Sequence, residues 1–147
     1  MTRYEHTQTG YVLICGLFVG AFAFAFARFF QTSPQRQIFF VISILFLITI
    51  VAFYKLTITI NGEILCASFG VGLVRKKVTL AEVAACELIR IRKWYGWGIH
   101  LTPYGWLYNV SGLDAVAIML RDGRKFALGT DDPHGLTSAI RRSINTG

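Results

Sequence analysis

The side chains best suited to acid–base or nucleophilic chemistry are few in this chain and lie far apart. His100 and His134 are not accompanied by a Ser or Cys in a recognisable nucleophile motif. Asp131 and Asp132 form a pair, but Pro133 follows them, and an Asp before a Pro is a common helix start. The pattern favours a helix cap over an acid–base or metal-binding pair, and it predicts no catalytic residue, no cofactor and no metal ion.

Three cysteines, Cys15, Cys66 and Cys86, are an odd number, and none stands in a C-x-x-C spacing. One alternative is a metal or redox role. The favoured interpretation is that they are reduced, buried thiols of a protein whose domain faces the cytoplasm.

Basic side chains form the clearest pattern with binding chemistry. From Lys55 onward the chain has twelve Lys/Arg against seven Asp/Glu. Five of them lie on, or just after, two predicted strands: Arg75, Lys77, Arg90, Arg92 and Lys93. If those strands are neighbours, their outer faces form one positive patch, which would contact anionic lipid headgroups or an acidic partner. The alternative is a solvated face, and nucleic acid is not an expected partner.

Aromatic residues are concentrated in one segment, which contains all three tryptophans: Trp94, Trp97 and Trp106. Such a segment can form an interfacial belt among lipid headgroups or a ligand contact. It can equally be packing in a small β domain, where Gly lets a ring lie against the backbone. Packing is the favoured interpretation, and the three tryptophans remain candidates for a lipid or partner surface.

Two long apolar runs, Tyr11–Phe30 and Ile38–Tyr54, precede this segment, separated by the polar turn Gln31–Gln37. The first run has about the length that spans a hydrocarbon core. Residues 1–54 are therefore predicted to be an N-terminal tail and a transmembrane hairpin, with helices over 11–30 and 38–54. A cleaved signal peptide is the alternative, but the first run is longer than a typical signal core.

Small residues in the first run recur at a 4-3-4 spacing that places them on one helix face: Gly16, Gly20, Ala23 and Ala27. A face of this kind lets a second backbone approach closely. We expect it to pack on the second helix or on another copy of the chain. The phenylalanines between them are expected to face mostly lipid: Phe22, Phe24 and Phe26.

Basic residues near the two runs are almost balanced between the two sides of the membrane. The run Arg75-Lys76-Lys77, close after the second helix, favours a cytoplasmic domain and cytoplasmic termini.

From Lys55 the periodicity changes to alternation, which is typical of half-buried strands. Asn61-Gly62 and Asp122-Gly123 each predict a β-hairpin. Further strands are predicted over Leu73–Leu80 and Cys86–Arg92. An amphipathic helix over 133–145 would close the domain, so residues 55–147 are predicted to be a β barrel or sandwich with a C-terminal helix.

Four motifs of this region carry a resemblance: Tyr95-Gly96-Trp97-Gly98-Ile99-His100, Gly105-Trp106-Leu107-Tyr108-Asn109-Val110-Ser111-Gly112, Asp122-Gly123-Arg124-Lys125-Phe126 and Gly129-Thr130-Asp131-Asp132-Pro133. Together they resemble bacterial membrane proteins that carry a pleckstrin-homology-like domain behind two transmembrane helices. His100 stands where that family usually has Arg. The resemblance implies a mainly-β barrel of about seven antiparallel strands closed by an α-helix, and a binding or scaffolding role without catalytic activity.

Two functions are compatible with these features. The first is a non-enzymatic binding or scaffold module, a multi-pass protein of the bacterial inner membrane whose cytoplasmic domain contacts anionic lipid headgroups, a protein partner or a second copy. The second is a small membrane-bound enzyme or an accessory subunit of a membrane enzyme complex. Mutation distinguishes them, because a catalytic role depends on one or two polar side chains and a binding surface on several.

Overall fold

The computed structural model describes residues 2–145. As the sequence predicts, two apolar helices are followed by a mostly-β region and a final helix. The helices are α1 (Tyr11–Ala27), α2 (Ser33–Phe53) and α3 (Pro133–Asn145). The strands are β1 (Thr2–Thr9), β2 (Lys55–Asn61), β3 (Ile64–Phe69), β4 (Val74–Thr79), β5 (Val83–Arg90), β6 (Gly98–Thr102), β7 (Gly105–Asn109), β8 (Asp114–Leu120) and β9 (Lys125–Gly129).

The first two helices are long and apolar enough to cross a membrane. A short 3-10 turn over Arg28–Phe30 extends α1, so that the first apolar segment covers Tyr11–Phe30. Most side chains of both segments are exposed in the isolated chain, which is the arrangement expected of helices that face lipid rather than a protein core.

Helix α2 begins at Ser33, earlier than the predicted start at Ile38. Thr32 and Gln35 form a capping box, in which the Thr32 N–H donates to the Gln35 side-chain oxygen at 3.3 Å. Pro34 suits the first turn because it lacks the N–H that a helix leaves unpaired there. Most of the polar stretch predicted as a turn is therefore helical, and it lengthens the second segment.

The contact between α1 and α2 is built around aromatic rings. Gly20 lies against Phe46, and a Cβ on Gly20 would be only 2.9 Å from that ring. Phe24, predicted to face mostly lipid, instead packs between Phe39 and Phe46, with ring centroids 5.5 and 5.7 Å away. The large apolar area of Phe24 finds this gap between the helices, which corrects the lipid-facing prediction for this residue.

The predicted small-residue face of α1 is only partly used in this contact. Gly16 and Ala23 are exposed, and Ala27 is half-buried. Among the described residues, nothing lies within 4 Å of the position that a Cβ on Gly16 would take. Phe22 and Phe26 are exposed, in agreement with the prediction. Gly20 is thus the small residue at which the closest approach to α2 occurs.

The N-terminal tail forms a strand that its sequence pattern does not predict. β1 pairs antiparallel with β2, with His6 opposite Ile58 and Thr9 opposite Lys55. The division at residue 54 therefore needs correction, because residues 2–9 belong to the β domain and the hairpin is inserted between two neighbouring strands. β1 was not predicted because its residues are largely polar and show no alternation of apolar and polar side chains. Its strand conformation is stabilised by pairing with β2.

The strands form two separate sheets, with orders β1-β2-β3-β4 and β5-β8-β9-β7-β6. Asn61-Gly62 joins β2 to β3 and Asp122-Gly123 joins β8 to β9, as predicted, with Gly62 and Gly123 at positive φ. β6 and β7 lie in a region predicted to be mostly loop. β7 pairs parallel with β9, so the all-antiparallel prediction is wrong for this pair. In the described chain the sheets do not close into a barrel.

The main core lies between the two sheets and under α3. Its fully buried side chains include Ile58 and Phe69 from the four-stranded sheet, Leu128 from the five-stranded sheet, and Leu136 and Ile140 from α3. A smaller cluster covers the outer face of the five-stranded sheet and includes Ile89, Ile91 and Leu107. The predicted apolar stripe of the final helix is confirmed by this packing.

All three cysteines lie in the described part of the chain and are free thiols. Cys86 is buried, Cys66 is half-buried and Cys15 is exposed on α1. The prediction of buried thiols therefore holds for Cys86 and is wrong for Cys15, which lies in an apolar segment whose neighbours would be lipid.

Candidate membrane-facing site

Most candidate residues lie at one end of the β domain, the end from which the hairpin emerges. β1 leads into α1 through Gly10, and α2 leads into β2 through Tyr54, so both helices leave from neighbouring strands. The Gly10 N–H donates to the Tyr54 carbonyl at 2.9 Å and closes the base of the hairpin. We name this region the hairpin end, and the opposite region, at the β2–β3 and β8–β9 turns, the far end.

The turn between β3 and β4 lies against the last turn of α2. Gly70 has a φ of +51°, and a side chain there would collide with the carbonyl oxygens of Val51 and Ala52. Val71 and Leu73 follow in the same turn, with 60% and 73% of their surfaces exposed. Two apolar side chains are therefore exposed at the hairpin end, beside a helix able to enter a bilayer.

The loop between β7 and β8 holds the five-stranded sheet at the same end. The Gln8 side-chain amide of β1 donates to the Ser111 carbonyl at 3.0 Å. Val110 packs so closely on Gly10 that a Cβ on that glycine would lie 2.9 Å from the Val110 oxygen. The start of β8 and the paired end of β5 consequently lie at the hairpin end.

The loop that follows β5 brings two of the three tryptophans to this end. It leaves β5 at Arg90, which lies opposite Asp114 in the β5–β8 ladder. Trp94 is 76% exposed, and the Arg92 guanidinium carbon lies 5.4 Å from the centre of its ring. Trp97 lies beside α1, where it lines an apolar groove.

His100 holds this loop in shape. Its Nε2 lies 2.6 Å from the Trp97 carbonyl oxygen, and because a carbonyl can only accept, Nε2 carries the proton and donates it. Gly96 and Gly98 flank Trp97 with φ values of +67° and +109°, which residues with side chains rarely adopt. His100 is thus a positioning residue for Trp97 in this structure.

The predicted basic residues do not form a single patch on neighbouring strands. Within residues 2–145, β4 and β5 are edge strands of different sheets and make no ladder with each other. Arg75 and Lys77 therefore lie on the four-stranded sheet, whereas Arg90 lies on the five-stranded one. The 3-10 turn Leu80–Glu82 is the physical reason, because it carries the chain from one sheet to the other.

Four of these residues instead lie at the hairpin end: Arg75, Arg90, Arg92 and Lys93. Arg75 follows the β3–β4 turn, and its Nε donates to the Gly72 carbonyl at 2.7 Å. The other three occupy the end of β5 and the start of the following loop. Lys77 lies further from the hairpin end along β4.

Trp106 is separated from the other two tryptophans. It lies in β7 opposite Leu101 of β6, close to the β6–β7 turn and away from the hairpin. The tyrosines of the aromatic segment are divided as well, since Tyr95 packs on the outer cluster and Tyr108 on the main core. Of the two interpretations of the aromatic segment, packing in the β domain applies to these tyrosines. Trp94 is exposed and stays a candidate for a lipid or partner contact.

Charge is unequally distributed between the two ends of the domain. Lys55, the first residue of β2, adds a further positive charge directly after α2. Among the described residues, Asp114 lies at the hairpin end, and Asp131 follows Thr130, whose N–H donates to the Asp114 carbonyl. The far end has acidic and basic side chains together: Glu63, Glu82, Asp122, Arg121, Arg124 and Lys125. The hairpin end thus has the larger excess of basic side chains.

Three residues of this site are not predicted from the sequence: Lys55, Val71 and Leu73. Lys55 had a usable signal, since it directly follows the second apolar run. Val71 and Leu73 had almost none, because single exposed apolar residues are common on protein surfaces and only the place of this turn beside α2 marks them.

Asp131 and Asp132 have structural roles in this fold. Asp132 caps α3, as predicted, by accepting from the Gly135 N–H at 3.0 Å, and it also accepts from the Tyr4 hydroxyl at 3.1 Å. Asp131 pairs with His6. Burial, together with the Asp132 charge, raises the pKa of Tyr4 above its usual value. In the described residues no three His, Cys, Asp or Glu side chains come together as a metal site requires.

Comparisons with protein-family models, curated proteins and solved structures give no match to this chain. Fold and site define it as a class: a hairpin of two helices able to span a membrane, joined without a linker to a mostly-β domain. The distinguishing feature of that domain is a hairpin end with basic and exposed apolar side chains.

Proposed function

We propose that the chain is a membrane-anchored, non-enzymatic binding module whose domain docks its hairpin end on anionic lipid headgroups. The observation that carries this proposal is the collection of basic and exposed apolar side chains around the point where both helices enter the domain. Apolar side chains such as Leu73 and Trp94 would lie among the headgroups, and Lys55, Arg75 and Arg92 would meet their negative charge.

We further propose a bacterial inner membrane as the location, and the same charges support an orientation with the domain on the cytoplasmic side. Basic residues close to the ends of membrane helices favour the cytoplasmic side, and Lys55 and Arg92 belong to the hairpin end itself. The hairpin turn is flanked by two basic residues, Arg28 and Arg36, so the hairpin end has the larger number of positive charges. Arg28 also contacts the rings of Phe29 and Phe40, each centred 5.4 Å from its guanidinium carbon.

The finer fold assignment is part of this proposal. A pleckstrin-homology-like architecture is supported by the order of short strands followed by a C-terminal helix that packs on the core between two sheets. The extra strand β1 and the parallel β7–β9 pair would be departures from the expected seven-stranded antiparallel barrel. The surfaces away from the membrane, including Lys77 on β4, would be available to a protein partner or a second copy.

The test uses the full chain in nanodiscs, because a fragment starting at Lys55 would lack β1. Hydrogen–deuterium exchange of residues 70–75 and 91–97 is compared in phosphatidylcholine discs with and without phosphatidylglycerol. We expect slower exchange in the anionic discs, and we expect the difference to shrink as salt screens the attraction.

Variants at the two ends of the domain provide the matched comparison. Changing Arg75, Arg90, Arg92 and Lys93 together to Gln is expected to abolish the effect of phosphatidylglycerol. The control removes positive charge at the far end, with Arg121→Gln and Lys125→Gln, and is expected to keep it. Equal exchange in both lipids, or the same loss in both variants, would contradict docking through the hairpin end.

A further inference from the structure

An apolar groove lies where the hairpin meets the domain, with a volume of about 560 Å³. Its walls come from both helices and from the loop that follows β5: Val12, Gly16, Thr49, Phe53 and Trp97–Ile99. The Thr49 hydroxyl donates to the Leu45 carbonyl at 2.8 Å, so its polar group is already bonded within α2. The groove is therefore suited to hydrocarbon.

The groove lies along the axis of α1. A shallow depression on α1 adjoins it, sharing Val12 and Gly16 and reaching Val19. At 1.5 Å per residue, Val12 and Val19 are about 10 Å apart along the helix axis. For a membrane-spanning helix this axis is roughly the bilayer normal, which is the direction that a lipid acyl chain follows.

We propose that this groove binds one acyl chain of an anionic phospholipid, whose headgroup lies against Lys55, Arg92 and Lys93. Lys55 comes just after the groove residue Phe53, and the other two precede Trp97 in its loop. From this order in the chain we infer that their positive charge lies near the end of the groove nearest the domain. Charge complementarity selects a headgroup with net negative charge. The inference rests on the proposed function and sharpens it, because it assigns a discrete lipid molecule to the hairpin end.

The domain itself argues against a second copy's helix as the occupant. Trp97–Ile99 line the groove on the side of the domain. A helix about 10 Å across that continued out of the bilayer would meet this loop. A phospholipid does not, because its acyl chain ends at the headgroup.

The test is native mass spectrometry of the full chain, released from detergent after addition of phosphatidylglycerol or of phosphatidylcholine with the same acyl chains. We expect one phosphatidylglycerol per chain, bound about tenfold more tightly than phosphatidylcholine, the size expected from one or two basic residues beside a lipid charge. The double change Arg92→Gln and Lys93→Gln is expected to remove most of this preference while the groove stays intact.

Filling the groove provides the decisive variant. Gly16→Phe places a ring in open space and is expected to abolish the adduct, and Trp97→Ala, which removes one wall, is expected to weaken it. Ala23→Phe is the matched control, because it adds the same ring to an exposed position of α1 outside the groove. Circular dichroism checks that each variant keeps its helices.

Three results would overturn the inference: an adduct that survives Gly16→Phe, equal binding of the two lipids, or a dimer that Gly16→Phe dissociates. The last would place a second copy in the groove. Gly16→Phe leaves the basic residues in place, so exchange protection in anionic nanodiscs should persist in this variant. If the unaltered chain shows slower hydrogen exchange in anionic nanodiscs but no bound lipid in the mass spectrum, the groove is not a lipid site. If it shows the bound lipid but no change in exchange, the domain does not dock on anionic headgroups.

Discussion

Phe53, the last residue of α2, packs edge-on against Phe69, the last residue of β3, with ring centroids 5.3 Å apart and ring planes at 61°. Phe69 is fully buried, and its ring centre is also 6.2 Å from that of Tyr108 in β7. The end of α2 therefore contributes to the core of the domain. Packing, rather than a flexible linker, sets the orientation of the domain on the hairpin.

This contact predicts a measurable coupling between hairpin and domain. Phe53→Leu and Phe69→Leu should each lower the stability of the full chain, and the double variant should lose less than the two single losses combined. The expected coupling is about 0.5–1.5 kcal/mol, as for other aromatic pairs. Unfolding in detergent, followed by near-ultraviolet circular dichroism, measures it. Phe22→Leu, on the exposed side of α1, is the control, and strict additivity would show that the rings do not interact.

The packing of the two helices predicts different effects at two glycines. Gly20→Leu should destabilise the hairpin, by about 1–3 kcal/mol, because the new side chain must displace Phe46. Gly16→Leu should be tolerated, since that position opens onto the groove. Helicity during denaturation in detergent distinguishes the two variants. Equal sensitivity at both glycines would instead support the small-residue face inferred from their spacing.

The bond between Tyr4 and Asp132 predicts a loss of stability at alkaline pH. Because the folded state raises the pKa of Tyr4, the folded phenol keeps its proton where an unfolded one ionises. Its contribution is complete below the ordinary tyrosine pKa of about 10 and is lost as the pH rises above it. Burial raises the pKa of Tyr108 and acts in the same direction.

The test compares Tyr4→Phe with the unaltered chain. Near neutral pH the variant should be less stable by about 1 kcal/mol, because it lacks the hydrogen bond to Asp132. Above pH of about 10 its melting temperature should fall less steeply than that of the unaltered chain. Parallel pH profiles for the two proteins would show that Tyr4 does not contribute to the alkaline transition.

The pairing of β1 with β2 predicts that the N-terminal strand and the rest of the domain lie on one side of the membrane. Reporter domains fused after Gly147 and inserted between Gln31 and Thr32 should therefore report opposite sides, with the C-terminal one cytoplasmic. A periplasmic report from Gly147 would reverse the proposed orientation. Two reports from the same side would rule out the hairpin.

Most of the candidate site was predictable from the sequence. Arg92, Trp94 and Trp97 were recognised because residue type and local density suffice to mark them. Val71 belongs to the site only because the β3–β4 turn packs beside α2, a contact that leaves no periodic signal. Lys77 was predicted to belong to the basic patch because the alternation of residues along β4 indicates that its side chain points outward. Alternation does not indicate which strand lies next to β4, so the prediction of one shared patch was wrong.

Local sequence patterns were enough to predict the apolar hairpin, the turns at Asn61-Gly62 and Asp122-Gly123, and the helix capped by Asp132, because run length, turn chemistry and capping act over a few neighbouring residues. The pairing of β1 with β2, the placement of β4 and β5 in different sheets, and the contact of α2 with Gly20 rather than Gly16 are visible only in the folded structure. These contacts join residues that are distant in the chain. Several strand pairings agree equally well with the local patterns, and the free energy of burying the contacting surfaces selects one of them.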